Sequence, residues 1–259
     1  MEYHKYMKYG ILCNFYGFPN YLDKVLSSWS DINKNFIFAA ACCKFNEYID
    51  INYHLEDTET IKKLNLNYKN IFSYIYSESI SNDSIVRNYP LQYLLSQNVD
   101  YIWILDGDEF YTEEQIIKIT NFVEQEPFIP FFKINFKNFF NDEFHWVDGF
   151  CPPRIFKTKL NNLSLDSFYY ENDIYYIDRD NNKVDYKQLS NLSIPKAIAH
   201  IDHYSWCGEK IYLQNKIKYQ NHRYKGICSY KWNEEKDCLD FNDKYYKMIN
   251  QPNPTIYTI

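Results

Sequence analysis

Glycine is scarce in this sequence, with 6 residues among 259. Only Gly10 and Gly17 fall near the N-terminus, too few for the glycine-rich loop that cradles phosphates in many nucleotide-binding proteins. The N-terminal stretch Met1-Glu-Tyr-His-Lys-Tyr-Met-Lys8 holds no apolar run of signal-peptide length, and no segment approaches the roughly 20 apolar residues of a membrane-spanning helix. A cytoplasmic protein is the expectation. The 7 cysteines include the adjacent Cys42 and Cys43 but form no CxxC pair and no zinc-ligand spacing, so reduced core residues are expected. Basic charge is not in excess either. With 28 Lys and Arg against 34 Asp and Glu, the net charge of -6 argues against nucleic acid as the main partner. Three Asn-x-Ser sequons begin at Asn82, Asn162 and Asn191, and without a secretory signal they receive no role.

Aromatic residues, by contrast, are abundant: 27 Tyr, 19 Phe and 5 Trp make 20% of the chain. Their faces can stack on sugars, although heavy use of Tyr, Phe, Asn, Ile and Lys is also what an AT-rich genome encodes. Hydrophobic residues at 46% and charged residues at 24% describe a chain that folds. Its length suits one α/β domain with a small C-terminal extension better than two equal domains.

Periodicity gives the organisation. Gly10 to Tyr16 reads as a buried strand, followed by a turn at Gly17-Phe-Pro-Asn20 and a helix whose stripe is Leu22, Val25, Leu26 and Trp29. Phe36 to Cys43 is apolar throughout, as in a parallel strand covered on both faces. A third strand fits Ile71 to Tyr76, and a helix fits Ser84 to Gln97, bent or restarted at Pro90. Tyr101 to Leu105 forms a fourth strand that runs straight into Asp106-Gly-Asp-Glu109. Thr112 with Gln115 makes a capping box for a helix with inner residues Ile116, Ile119 and Val123. Strands separated by helices predict an α/β fold with a mainly parallel central sheet. The second half is less regular, with a strand from Phe128 to Phe136, loops to about 165, a polar stretch from 166 to 193 and a C-terminal helical segment from about Gly208 to Tyr224.

In open parallel sheets ligands bind outside the carboxyl ends of the strands, which is where Asp106 and Asp108 fall. Two carboxylates flanking a glycine can hold a hard divalent cation beside phosphate or sugar oxygens. Taken alone, the tripeptide also fits a solvated loop or a helix N-cap.

The stretch Asp100-Tyr-Ile-Trp-Ile-Leu-Asp-Gly-Asp-Glu-Phe110 resembles the strand and Asp-x-Asp motif of GT-A glycosyltransferases of the family-2 type, and the related family with an Asp-Glu-Phe variant. The likeness extends to Asp83 and Arg87-Asn88 upstream, to Pro153-Arg-Ile-Phe156, and to His203-Tyr-Ser-Trp206 with the trailing Lys216. It departs after the second strand: no short acidic motif follows Ala39 to Phe45, and Asn46 or Glu47 is the nearest substitute, so the base, uridine or guanosine, stays open.

This resemblance implies a GT-A (Rossmann-like) domain over residues 1–205 and a helical extension over 206–259 that can act as a lid. It implies transfer of a sugar from a nucleoside-diphosphate donor to a hydroxyl on a glycan, lipid or protein, with inversion, aided by Mn²⁺ or Mg²⁺. Asp106, Asp108 and His203 would hold the metal; Asp83, Arg87, Asp106 and Lys216 would serve the donor. Arg87 either meets phosphate or positions an aspartate through its planar fork. His203 is a metal ligand or a hydrogen-bonded structural histidine, and His200 is the weaker candidate. Lys210, Lys216, Lys218, Arg223, Lys225 and Lys231 form either a diphosphate lid or a solvated face. An acceptor base is sought in Glu171, then Asp148, with Asp173 also considered, and Trp146 is read as an acceptor platform or core. Competing readings are a nucleotidyltransferase and a catalytically silent sugar-binding module of the same fold.

Overall fold

The computed structural model describes residues 7–15, 22–30, 36–45, 71–80, 83–170, 173–223 and 228–258. In chain order they begin with β1 (Tyr9–Phe15), α1 (Leu22–Ser30), β2 (Phe36–Phe45), β3 (Ile71–Ile80), α2 (Asp83–Ser96), β4 (Tyr101–Asp106) and β5 (Glu109–Phe110). There follow α3 (Glu113–Gln125), β6 (Phe131–Lys133), β7 (Phe136–Asn141), β8 (His145–Asp148), β9 (Pro153–Lys157), β10 (Lys159–Leu160) and β11 (Leu163–Tyr170). The remainder is β12 (Asp173–Ile177), β13 (Lys183–Asp185), β14 (Asn191–Ser193), β15 (Ile201–Cys207), α4 (Lys210–Arg223), β16 (Tyr230–Asn233), β17 (Cys238–Phe241), α5 (Asp243–Met248) and β18 (Tyr257–Thr258).

The central sheet has seven strands in the order β14-β6-β9-β4-β1-β2-β3. Of its pairings, β1 with β2, β1 with β4, β2 with β3 and β14 with β6 are parallel, and only β9 runs against its neighbours. The fold is therefore α/β with a mainly parallel central sheet, as the alternation of strands and helices predicts. From β1 the chain winds outward through β2 and β3, then returns to place β4 on the other side of β1. That reversal makes the carboxyl ends of β1 and β4 the switch point of the sheet, the place where sheets of this type bind ligands.

Alternation along the strands explains both covered faces. Tyr9, Ile11, Cys13, Trp103 and Leu105 pack with Val25 and Trp29 of α1 and with Ile116, Ile119 and Val123 of α3. On the opposite face Leu12, Ile102 and Ile104 pack with Leu91 and Leu94 of α2 and with Leu165, Phe168, Ile174 and Tyr176 of a second, antiparallel sheet. Ile102 and Ile104 are 0% exposed, and burying each side chain is worth about 1.5–3 kcal/mol, so β4 is held firmly up to its polar exit. The capping box is formed, with Thr112 accepting from the Gln115 N–H and the Gln115 side chain accepting from the Thr112 N–H. Helix α2 continues through Pro90 and does not restart there.

Three expectations are corrected. The segment Phe128 to Phe136 is not one strand: Phe131–Lys133 belongs to the central sheet, and after Ile134 and Asn135 the chain enters a different sheet at Phe136. Residues expected as loops carry β8 to β11; β9 is buried on both faces, with Arg154, Ile155 and Phe156 all buried, whereas β8 buries only Val147. The C-terminal extension is not purely helical, since α4 is followed by the hairpin β16–β17, by α5 and by β18. A boundary at residue 205 would also cut β15, which runs to Cys207.

The five-stranded sheet β18-β8-β7-β15-β5 is the element that builds the site. Strand β5 follows β4 after Gly107 and Asp108, and it pairs antiparallel with β15, matching Glu109 with His203 and Phe110 with Asp202. The motif thus carries the chain from one sheet into another.

Candidate active site

The Asp106–Glu109 corner is pinned by the backbone. Gly107 N–H donates to the Asn14 carbonyl at 3.0 Å and Tyr204 N–H donates to the Asp108 carbonyl at 2.8 Å. Asp106 continues the side of β4 occupied by Ile102 and Ile104, and so faces α2. There Arg87 shares a helix face with Leu91 and Leu94, and its Nη2 donates to Asp106 Oδ1 at 2.8 Å. Arg154, from β9, donates through Nη2 to Asp106 Oδ2 at 3.3 Å. The same guanidinium grips Glu109 at two points, Nε to Oε2 at 3.1 Å and Nη2 to Oε1. Complete burial pushes the Glu109 carboxyl up, and the fork of Arg154 pulls against that rise.

Asp108 points to the other sheet. Its Oδ2 lies 3.5 Å from His203 Nε2 and 4.0 Å from Lys216 Nζ. Burial acts to raise this carboxyl, but His203, Lys216 and the Ser205 hydroxyl outweigh it and hold Asp108 well below the usual carboxylate range. Lys216 donates to the Ser205 carbonyl at 2.6 Å and to the Ser205 hydroxyl, and burial lowers its ammonium from the ordinary lysine value. On the far side of the ring, His203 Nδ1 is 2.7 Å from Asn138 Oδ1. An amide oxygen only accepts, so Nδ1 carries the hydrogen, and the ring turns Nε2 toward Asp108. Gly149 makes room for that arrangement: a Cβ there would stand 2.6 Å from Asn138 Nδ2 and 2.7 Å from Phe136 Cβ.

Of the expected site residues, the fold brings together Asp106, Asp108, Arg87, His203 and Lys216. Arg87 takes the second of its two readings and positions an aspartate. Asp106 has both oxygens engaged by guanidinium groups, which separates it from the Asp108–His203 pair. Among the described residues no group of three or more His, Cys, Asp or Glu side chains forms a ready cage for a metal. Asp108 and His203 nonetheless suit an ion that takes one carboxylate and one imidazole and fills its remaining positions with water and phosphate. Asp83 opens α2, and its side chain lies outside the described set, as do Glu171, Asn46 and Glu47.

Asp148 does not join this group. It is matched with Lys137, one register position from the Val147–Asn138 match, so it projects from the face of β8 opposite to Asn138 and His203. There it pairs with Lys196 at 2.8 Å, and Trp146 on the same face stacks on Tyr257. His200 contacts Gln115 at 3.3 Å and Asp202 at 3.2 Å rather than the corner. Asp173 is engaged by Tyr186 and Lys187. Lys210 and Lys231 pair with Asp237 and Asp243 on an exposed surface, so the solvated reading holds for them.

Sequence reasoning missed four contributors. Arg154 lies in the segment Pro153 to Phe156 already singled out, and Glu109 adjoins the motif, but their pairing spans 45 residues. Asn138 carries no local signal. Asn14 is 1% exposed, is matched with Asp106 in the sheet, and its side-chain amide has no hydrogen-bond partner among the described residues.

No protein-family model and no curated protein sequence matches the chain. Among solved structures it is similar to residues 1–349 of TarS from S. aureus, at 15% identity and TM-score 0.40 over 51% of this chain and 36% of that one. A further S. aureus TarS structure gives 12% identity and TM-score 0.36 over 52% and 22% of the two chains. A 4-diphosphocytidyl-2C-methyl-D-erythritol synthase from Anaerococcus prevotii gives 15% identity and TM-score 0.38 over 58% and 70%. The match thus spans 36% of the first of these chains.

Proposed function

We propose that this chain is a metal-dependent glycosyltransferase that moves a sugar from a UDP- or GDP-linked donor to a hydroxyl on a glycan, lipid or protein. The observation that carries the reading is the meeting of Asp108 with the Nε2 face of His203 at the carboxyl ends of β1 and β4. Burying charge is costly, and Arg87, Asp108, Glu109 and Arg154 are each at most 5% exposed at one corner. Such a concentration of perturbed ionisable groups is what a working site needs.

Asp108 and His203 would hold Mn²⁺ or Mg²⁺, which when bound supplies positive charge to balance a departing diphosphate. Arg87 and Arg154 fix the orientation of Asp106 toward the donor, and Arg154 locks Glu109 and with it the turn. Asn138 keeps His203 in the tautomer that presents Nε2. Lys216 stands beside Asp108, where an ammonium can meet phosphate oxygens. Asp83, at the start of α2, remains assigned to the donor and Glu171 to the acceptor hydroxyl proton; inversion remains the expected outcome. Asp148 drops out of the proposal because it sits on the wrong face.

Incubation with labelled UDP- and GDP-sugars, with and without Mn²⁺, tests the reading. The expected result is metal-dependent release of UDP or GDP, lost in Asp108→Asn and retained in Asp148→Asn. Release of pyrophosphate from a nucleoside triphosphate and a sugar phosphate would identify a nucleotidyltransferase instead, and donor binding without release a silent sugar-binding module. Turnover of Asp108→Asn at the native rate would remove the proposal's basis.

A further inference from the structure

The same oxygen of Asp108 that faces His203 Nε2 at 3.5 Å also faces Lys216 Nζ at 4.0 Å. Lys216 is no loose surface lysine. Its side chain is 14% exposed, its ammonium is anchored on Ser205 by two hydrogen bonds, and it lies 5.1 Å from the centre of the Trp206 ring. Ser205 also favours the ionised form of Asp108, so carboxylate, hydroxyl and ammonium form one group. A divalent ion on Asp108 Oδ2 would share that oxygen with a fixed positive charge in a mostly dehydrated setting, where like charges repel far more than in water.

We propose that Lys216 is a resident counter-cation of Asp108: it balances the carboxylate in the metal-free protein, weakens the binding of Mn²⁺ alone, and thereby makes metal and nucleotide diphosphate bind as a pair. The inference rests on the reading of Asp108 and His203 as metal donors. Its physical content is a charge count. With Lys216 present, the ion adds two charges to a carboxylate already balanced; a diphosphate supplies the anionic oxygens that relieve the excess and can accept from the Lys216 ammonium. Each of the two ligands then raises the affinity for the other by the same factor.

Mn²⁺ titrations followed by the electron paramagnetic resonance signal of the free ion test this without any turnover. The proteins are the native chain, Lys216→Met, Asp108→Asn and Lys216→Met/Asp108→Asn, each with and without UDP or GDP, with folding checked by circular dichroism. Lys216→Gln, which keeps a polar head for Ser205, replaces Lys216→Met should the latter not fold. Lys216→Met is expected to bind Mn²⁺ alone at least about tenfold more tightly than the native chain, and to show a smaller gain in Mn²⁺ affinity on adding nucleotide. Affinity equal to or below the native value, or no Mn²⁺ binding by either protein, overturns the counter-cation role. If tightening persists in Lys216→Met/Asp108→Asn, the ion binds elsewhere, and the assignment of Asp108 as metal donor fails instead.

Discussion

Arg154→Met isolates what one buried guanidinium holds. The Arg154 side chain is 2% exposed and that of Glu109 is 0% exposed. The substitution removes both contacts to Glu109 and the one to Asp106. Asp106 keeps Arg87 at 2.8 Å, whereas Glu109 loses the partner that opposes its desolvation. Deleting one member of a buried pair costs about 3–5 kcal/mol. With a urea m value on the order of 3 kcal/mol/M, the unfolding midpoint falls by roughly 1–1.7 M. The loss also depends on pH, and its sign follows from linkage. Burial holds the folded Glu109 carboxyl above its ordinary value of 4.5, and removing Arg154 raises it further. Between the unfolded and folded values the native state keeps a proton that the unfolded chain has released, so stability falls as pH rises, by up to about 1.4 kcal/mol per pH unit. Both proteins share that slope up to the native folded value of about 8, so the deficit of Arg154→Met is expected to widen above about pH 8, where the native carboxyl ionises and that of the variant does not. Urea melts of the native chain, Arg154→Met, Glu109→Leu and Arg154→Met/Glu109→Leu measure it. Because the uncompensated charge drives the loss, the double variant should lose less than Arg154→Met alone. Strictly additive losses, or a deficit that stays flat above about pH 8, would refute the pairing.

Other perturbations address separate parts of the molecule. Thr112→Ala removes the side-chain half of the capping box on α3 and should cost about 1 kcal/mol in chemical denaturation; an unchanged midpoint would mean that this cap is idle. Asp108 has a folded pKa below its ordinary 3.8, so its stabilising contribution is complete above that value and is lost as pH falls through the lower, folded one. Asp108→Asn should therefore flatten the acid limb of the stability profile, and an identical acid limb in both proteins would contradict the depressed value. Gly149→Ala inserts a methyl 2.6 Å from Asn138 Nδ2, with an expected stability loss of about 1–3 kcal/mol. It should also weaken metal binding by roughly 10–100-fold through His203, which Mn²⁺ titration would reveal or deny.

The parts of the fold legible in the sequence are those fixed by nearby residues. The capping box at Thr112 and the stripe Ile116, Ile119 and Val123 lie within one helix, and Tyr101 to Leu105 is buried on both faces, so its character does not depend on which neighbour it meets. The break inside Phe128 to Phe136 was hidden for the converse reason: Phe132, Ile134 and Phe136 keep a period of two across Lys133 and Asn135, so a change of sheet leaves no mark in the pattern. The site divides in the same way. Asp106, Asp108 and Glu109 are adjacent in the chain, whereas Arg154 meets Glu109 across 45 residues and Asn138 meets His203 across 65. Asp148 was misplaced because facing depends on register: one step along β8 separates Val147, matched with Asn138, from Asp148, matched with Lys137.

Strands β4 and β5 are successive pieces of one chain that belong to different sheets, with only Gly107 and Asp108 between them. A relative displacement of the two slabs would bend this short splice, which the Asn14 and Tyr204 backbone bonds clamp from either side. A molecule spanning Asp106 and Asp108 would act as a cross-brace over the joint, and amide exchange should then slow together in Tyr101–Asp106 and Ile201–Cys207.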